Sequence, residues 1–415
     1  MEYSPVDEKK KSRLLLIVVC AVWAGAALYK YVQTRAPEKT VLSVALYRGN
    51  AEAPVSLAPL VEEFQGRYPD IEITILDRSP QELEGDLNPE KPKGRPGIPD
   101  IVIANQKSLV SLSGDHFESL DSLLQNPEFT EFALEDSGGA PRWIMPLVSF
   151  MYPLYYNIAV LREAGFDHPP KTREEFLAYA EALSSVAVSG GEELAAWTWA
   201  AGLDFFSEDQ SALNVPALND SLNFVQAMTG LLDMADFEKT ESEKYDDFIA
   251  GRIAMMTASI AGTGYIKERA PDLEYSLTTV PPPAAYLGKP RFALGNWGAA
   301  LTKQSSRGEE AKLFIGFLSG AQANAFLAAA LSGIPVNASA RGTPPERRAQ
   351  RGVQYDKALV ILETGEAAGE FGLPPGGPVL ENALREAAGA IINGTKTPDE
   401  CIAALENLWQ GGAEN

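Results

Sequence analysis

Apolar residues along this chain gather in short runs, some with the period of a strand and others with that of a helix. Val41–Tyr47 is mostly apolar, which suits a strand in a sheet covered on both faces. Ser56–Tyr68 reads as a helix with Leu60, Val61 and Phe64 on one side, and Ile71, Ile73 and Ile75 then alternate with Glu72 and Thr74 as a second strand. Asp77–Pro99, rich in proline, glycine and charge, reads as an exposed loop, and Asp100–Asn105 as the next strand. Pro146–Val186 predicts a short apolar strand or crossover, a helix, a turn on Gly165 and Pro169–Pro170, and a second helix. A capping box of Thr172 and Glu175 opens that second helix, with Phe176, Ala180 and Leu183 at helical spacing.

Further on, Glu192–Phe206 crowds Trp197, Trp199, Phe205 and Phe206 together, and Asn219 or Asp220 is expected to cap a helix through Leu232. Tyr245–Met256 reads as a helix end, a glycine turn and a strand. Tyr275–Pro283 and Gly295–Thr302 are strands, and Ser306 with Glu309 predicts a capping box for a helix over Glu309–Leu318. Ala340–Gly352 is a basic loop. The last helix is bounded by Thr397, Pro398, Glu400 and Gly411. Alternating strands and helices of this kind imply α/β layers with mostly parallel sheets.

Charge and cysteine content narrow the classes. Across 415 residues the net charge is −21, which sets the chain against nucleic-acid phosphates. Cys20 lies in the N-terminal apolar run and Cys401 in the last helix, so a disulfide joining them is not expected. His116 and His168 are too scattered to make a zinc site with them, and no metal or cofactor is expected. Lys9, Lys10, Lys11 and Arg13 in residues 1–13 form a basic flank before the uncharged run Leu14–Leu28, with Tyr29, Lys30 and Tyr31 at its far end. As a helix, residues 14–32 would span about 28 Å, close to the hydrocarbon core of a bilayer. The expectation is a single-pass membrane anchor with the body outside the cytoplasm. Two alternatives stay open: cleavage at Ala24-Gly25-Ala26, which would release the body to the periplasm, and lipid on Cys20.

Four motifs carry a family resemblance. They are Phe64-x-x-x-Tyr68-Pro69, Pro99-Asp100-Ile101-Val102, the run from Tyr155-Tyr156-Asn157 through Leu161-x-x-Ala-Gly-Phe-x-x-Pro-Pro-x-Thr-x-x-Glu-Phe176, and Phe248-x-x-Gly-x-x-Ala-Met255. Together they make the chain resemble the extracellular solute-binding proteins of ABC importers, in the maltose-binding-protein-like branch. The resemblance covers about Val41–Trp409. It implies a two-lobed α/β periplasmic-binding-protein fold of type II-like architecture, with a hinge and an interlobe cleft, here joined to an N-terminal transmembrane helix. Lobe one is placed at 40–148 plus 302–337 and lobe two at 149–301 plus 338–411, with crossovers near Leu147–Met151, Trp297–Leu301 and Pro335–Ser339. It further implies a receptor that binds a carbohydrate and hands it to ABC permease subunits, without catalysis. The same lobes also serve sensors, and binders of polyamines, metals or other small solutes.

Ligands of open α/β sheets sit beyond the carboxyl ends of strands. That singles out Arg48, Asn50, Asn105, Gln106, Ser149, Ser259, Asn296 and Trp297, with Trp199 as a second aromatic. Amides and charged groups beside tryptophans suit sugars, whose hydroxyls need donors and acceptors and whose C–H faces stack on rings. Each candidate also has an ordinary reading: Trp197 and Trp199 as core, Asn105 and Gln106 as turn caps, and Tyr155–Tyr156 as core packing. No G-x-S-x-G elbow, H-E-x-x-H motif or P-loop occurs, so no hydrolase or nucleotide chemistry is expected.

Overall fold

The computed structural model describes residue 23 and residues 39–47, 56–88, 93–94, 97–112, 114–125, 142–188, 190–207, 212–232, 237–341, 353–368 and 377–412. Its strands are β1 (Thr40–Tyr47), β2 (Ile71–Arg78), β3 (Ile101–Asn105), β4 (Ile144–Met151), β5 (Leu154–Asn157), β6 (Val186–Ala187), β7 (Met255–Thr257), β8 (Tyr275–Thr278), β9 (Arg291–Leu301), β10 (Ile334–Pro335) and β11 (Glu366–Ala368). They form two sheets. The larger has the order β10-β4-β9-β3-β1-β2, with β11 on the first residues of β9, and the smaller the order β6-β7-β5-β8.

Position in the sheet explains the sequence of each strand. Ile101–Ala104 of β3 are buried on both faces between β1 and β9. In β2, at the sheet edge, Ile71 and Ile73 are buried while Glu72 and Thr74 are exposed. The sheets are mixed, not mostly parallel: β1, β2 and β3 run together, but β9 is antiparallel to both β3 and β4. The reason is topological. β4 and β9 pair antiparallel from Ile144 with Ala300 to Met151 with Leu294, so a sheet that also holds the parallel β1, β2 and β3 must be mixed.

Each lobe has its own core. In the first, Leu42, Phe64, Ile103, Met145, Phe314 and Leu327 pack together, with the ring of Phe64 edge-on to Phe314 at 4.9 Å. In the second, helix Arg173–Leu183 packs Phe176 on Trp197, which stacks on Phe224 at 4.6 Å and donates from Nε1 to Thr257 Oγ1. Tyr155, Phe248, Leu277 and Ile361 fill the other face of the small sheet.

Several local rules act where the sequence places them. Thr172 accepts from the amide of Glu175 at 3.1 Å, although the Glu175 carboxylate caps Lys171 N and not Thr172. Thr397 and Glu400 bond reciprocally ahead of Pro398–Gly412. Helix Glu241–Ile249 is followed by Gly251 at φ +72° and then β7, as the Phe-x-x-Gly motif requires.

Other expectations need correction. Asp77–Pro99 is not a plain loop: it ends β2 and holds a helix, Pro80–Asp86, opened by a Ser79–Glu82 capping box, with Leu83 and Leu87 buried. The helix expected to be capped at Asn219 or Asp220 begins at Val215, because Pro216 sits in its first turn, and the Asp220 carboxylate accepts instead from buried Arg173. Helix Gly308–Ser319 has no side-chain cap; Ser305, not Ser306, accepts from a backbone amide there, that of Arg307. Tyr155 and Tyr156 belong to β5, and Asn157 caps the next helix. Residues 14–22 and 24–32 of the expected anchor and 342–352 of the basic loop lie outside the described residues, and among the described residues no single helix is long and apolar enough to cross a membrane.

Candidate ligand-binding cleft

The antiparallel β4–β9 pair sets Val148 opposite Trp297 and Ser149 opposite Asn296 at the seam between lobes. A cavity of about 950 Å³ opens beside that seam. The first lobe and the seam contribute Asn105, Lys107, Phe150, Tyr152, Asn296, Trp297, Leu331 and Ser332 to its walls, and the second lobe contributes Glu192, Glu241, Tyr245, Ser259, Gly262, Tyr265 and Arg269. The lobes approach closely at one edge, where a Cβ on Gly264 would lie 2.2 Å from Ser332 Oγ. A second cavity of about 760 Å³ continues past Lys107, Tyr152, Glu192 and Glu241, the residues common to both.

Of the residues singled out in the sequence, Asn105, Ser259, Asn296 and Trp297 come together on the larger cavity. Asn105 ends β3 and its Oδ1 accepts from Ser108 N at 2.7 Å, so it caps a helix and lines the cleft at once. Ser149 is fully buried and donates to Asn296 Oδ1 at 2.7 Å. That bond orients the Asn296 amide and leaves its Nδ2 as the donor for other partners. The Ser259 carbonyl accepts from the Tyr155 hydroxyl, and its own hydroxyl accepts from Ala261 N. Trp297 packs into the first-lobe core on one side and borders the cavity on the other.

The remaining candidates sit elsewhere. Gln106 is buried, with Nε2 lacking a hydrogen-bond partner among the described residues, and is not part of either lining. Trp199 lies in the second-lobe core, edge-on to Phe205, away from both cavities. Two residues apart on helix Glu192–Ala200, Trp197 and Trp199 point in different directions, which an extended segment would not give. Arg48 and Asn50 lie outside the described residues.

Sequence reasoning missed the charged wall. Glu192 and Glu193 begin a helix that is otherwise buried, and Glu241 begins another; carboxylates in a first helical turn read as solvated dipole partners. Here they face the cleft. Glu193 forms a buried ion pair with Lys244, and the Tyr245 hydroxyl is buried beside them without a hydrogen-bond partner among the described residues. Burial, reinforced by the negative charge of Glu241, pushes the Tyr245 phenol well above its usual range. Tyr265 donates to Asp246 Oδ1 at 2.9 Å, and the Arg269 guanidinium lies 3.7 Å over its ring. Such a surface offers hydroxyl, amide, carboxylate and ammonium partners beside aromatic faces. Among the described residues no three His, Cys, Asp or Glu side chains converge on a position that could hold a metal ion.

Two α/β lobes with a polar, aromatic-lined cleft at the strand ends define a two-lobed solute-binding fold. The chain belongs to the bacterial extracellular solute-binding proteins, whose family model matches residues 50–325. Binding proteins of Brucella abortus and Brucella suis are 23% identical over 193 residues, 42% of this chain. The match spans 46% of those relatives' length. Among solved structures, an ABC transporter solute-binding protein of Thermotoga lettingae bound with alpha-D-tagatose is 18% identical with a TM-score of 0.71, covering 90% of this chain and 100% of that one. Maltose-bound MalE3 of T. maritima is 16% identical with a TM-score of 0.70, covering 89% and 99%. An ABC substrate-binding protein of Listeria monocytogenes in complex with cycloalternan is 16% identical with a TM-score of 0.69, covering 91% and 99%.

Proposed function

We propose that this chain is an extracytoplasmic receptor of an ABC importer that binds a carbohydrate between its lobes, delivers it to permease subunits and performs no catalysis. The observation that carries this reading is the cluster of Asn105, Ser259, Asn296 and Trp297 on a cleft formed by both lobes. Trp297 supplies a face for sugar C–H groups, and Asn105, Ser259 and Asn296 supply donors and acceptors for hydroxyls, with Ser149 positioning Asn296. Tagatose, maltose and cycloalternan in structures of this fold support a sugar as cargo. The division into 40–148 plus 302–337 and 149–301 plus 338–411 fits strands β4, β9 and β10 as the connections between lobes. A ligand that contacts both lobes favours the closed form by its differential affinity, and the permease then recognises the closed pair. Residues 14–32 hold the body at the membrane.

Thermal shifts against mono- and oligosaccharides, polyamines and metal ions test the cargo. A ligand at a hundred times its dissociation constant adds about 2.7 kcal/mol of stability. A shift with one sugar class that disappears in Trp297→Ala is the expected result, and scattering curves unchanged by that ligand would contradict hinge closure. A second reading, a polyamine cargo, draws on the carboxylates of Glu192, Glu238, Glu241 and Glu386 around Tyr152 and Phe237. Silence across sugars with a shift for a polyamine would establish it.

A further inference from the structure

Lys107 and Glu381 touch across the cleft although 274 residues separate them. Lys107 belongs to helix Gln106–Ser111, which leaves the end of β3 and anchors Leu109 in the first lobe. Glu381 belongs to helix Gly377–Ile392, whose Leu380, Leu384 and Ile391 are buried in the second-lobe core. The Lys107 ammonium donates to one carboxylate oxygen of Glu381, and Arg385 approaches the other at 3.7 Å from behind. The Gly190–Gly191 turn makes room for this arrangement. A Cβ on Gly191, which sits at φ +73°, would lie 2.8 Å from Glu381 Oε1, and one on Gly190 would lie 2.6 Å from Arg385 Cγ.

The pair also stands where the two cavities meet. Lys107 lines both, together with Tyr152, Glu192 and Glu241, whereas Glu381 lines the smaller one. The geometry points to a crossbar: Lys107–Glu381 closes one end of the ligand cleft and sets the length of saccharide it accepts. This rests on the carbohydrate reading above and deepens it by naming two specificity-determining residues. Each cavity alone lies within the range of about 300–1,000 Å³ that holds one small ligand, and Lys107 stands with Tyr152, Glu192 and Glu241 at the boundary between them. A short saccharide occupies the Trp297 compartment and ends against Lys107, whose ammonium meets its terminal hydroxyls. The bar is also built to open. Glu381 is 3% exposed and would be costly to leave unpaired, but it keeps Arg385 when Lys107, one-third exposed, swings into water.

Two measurements on the full-length protein test the crossbar. Zero-length carbodiimide coupling joins an amine to a carboxylate only in contact, so peptide mapping of the ligand-free protein is expected to recover a Lys107–Glu381 cross-link. Its absence, under conditions in which Glu381 of the Lys107→Ala variant is coupled to an added small amine and so is reached by the reagent, overturns the bar without reference to any ligand. Titration calorimetry with linear gluco- and manno-oligosaccharides, from the monosaccharide upward, then reads the length profile. Wild type is expected to favour short members, and both Lys107→Ala and the shape-preserving Glu381→Gln are expected to tighten longer members by about tenfold relative to short ones. Identical profiles in wild type and both variants overturn the length limit. Silence of all three proteins across the series, with the cross-link present, overturns the carbohydrate reading and the length limit together, while leaving the interlobe contact established.

Discussion

Lys244–Glu193 and Lys107–Glu381 use the same two residue types and border the same cavity, yet their surroundings differ. Lys244 and Glu193 both lie in the second lobe, and their side chains are 2% and 7% exposed. Lys107 reaches from the other lobe and is 33% exposed. The first pair is almost fully enclosed; in the crossbar proposed above, the second exchanges its contact for water when Lys107 swings out. Glu381 and Glu193 are about equally buried, so what separates a structural ion pair from a switchable one here is the exposure of the lysine and the second cation, Arg385, that stays with Glu381. Contact alone does not distinguish them.

The largest effect that would break this comparison comes from Lys244→Met. Removing the lysine takes the paired ammonium away from buried Glu193, with an expected loss of about 3–5 kcal/mol in urea denaturation. Adding Glu193→Gln to the same chain is expected to recover much of it, since an apolar or neutral pair escapes the penalty. A loss no larger than that of Lys107→Ala would place both pairs in one category.

Next comes the seat of Glu381. Gly191→Ala forces a side chain into a positive-φ position and against the carboxylate, at an expected cost of about 1–2 kcal/mol. Because the added methyl points at Glu381, the same variant is expected to weaken the Lys107–Glu381 cross-link. A full loss of stability with an undiminished cross-link would separate the turn from the bar.

The two pairs also mark how far the sequence could be read. Caps at Thr172 and Thr397 and the turn at Gly251 depend on residues three or four apart, and they were legible because local rules determine them. Strands β1, β2 and β3 were legible too, since β3 and β2 differ in pattern as central and edge strands must. The helix Pro80–Asp86 was not: its buried face amounts to Leu83, with Leu87 just beyond its end, inside a run dominated by proline and charge. Asn296 and Trp297 could be placed at the cleft because they sit where strands change lobes. Lys107 and Glu381 could not, because only the docking of two lobes brings them together. Trp199 shows the converse: a sugar-like residue type whose helical direction puts it in the core.

In a third pair, Lys239–Asp247, the lysine is 27% exposed, between Lys244 and Lys107, and the carboxylate is 13% exposed, more than either glutamate. The hydrogen bond from Lys239, with further help from Arg252, holds the Asp247 carboxyl below its usual range against the opposing effect of burial. A folded-state value below the unfolded one means that the stabilisation is complete above about pH 3.9 and is lost as pH falls through the lower folded value. Asp247→Asn is expected to flatten that part of the acid-denaturation profile and leave the neutral-pH ligand profile unchanged.

The smallest stability effect is expected at the pair with the largest functional one. Lys107→Ala removes a partner that is one-third exposed, and Glu381 retains Arg385, so the loss should be about 1 kcal/mol or less in denaturation. Because the exposed ammonium is screened, added salt should shrink even that difference. The same salt should reduce the carbodiimide cross-link in wild type while leaving the Lys244–Glu193 pair, and the stability it confers, nearly unchanged. A salt response shared equally by both pairs would mean that water reaches Lys244 as readily as Lys107, and the distinction between a folded-in pair and an opening bar would fail.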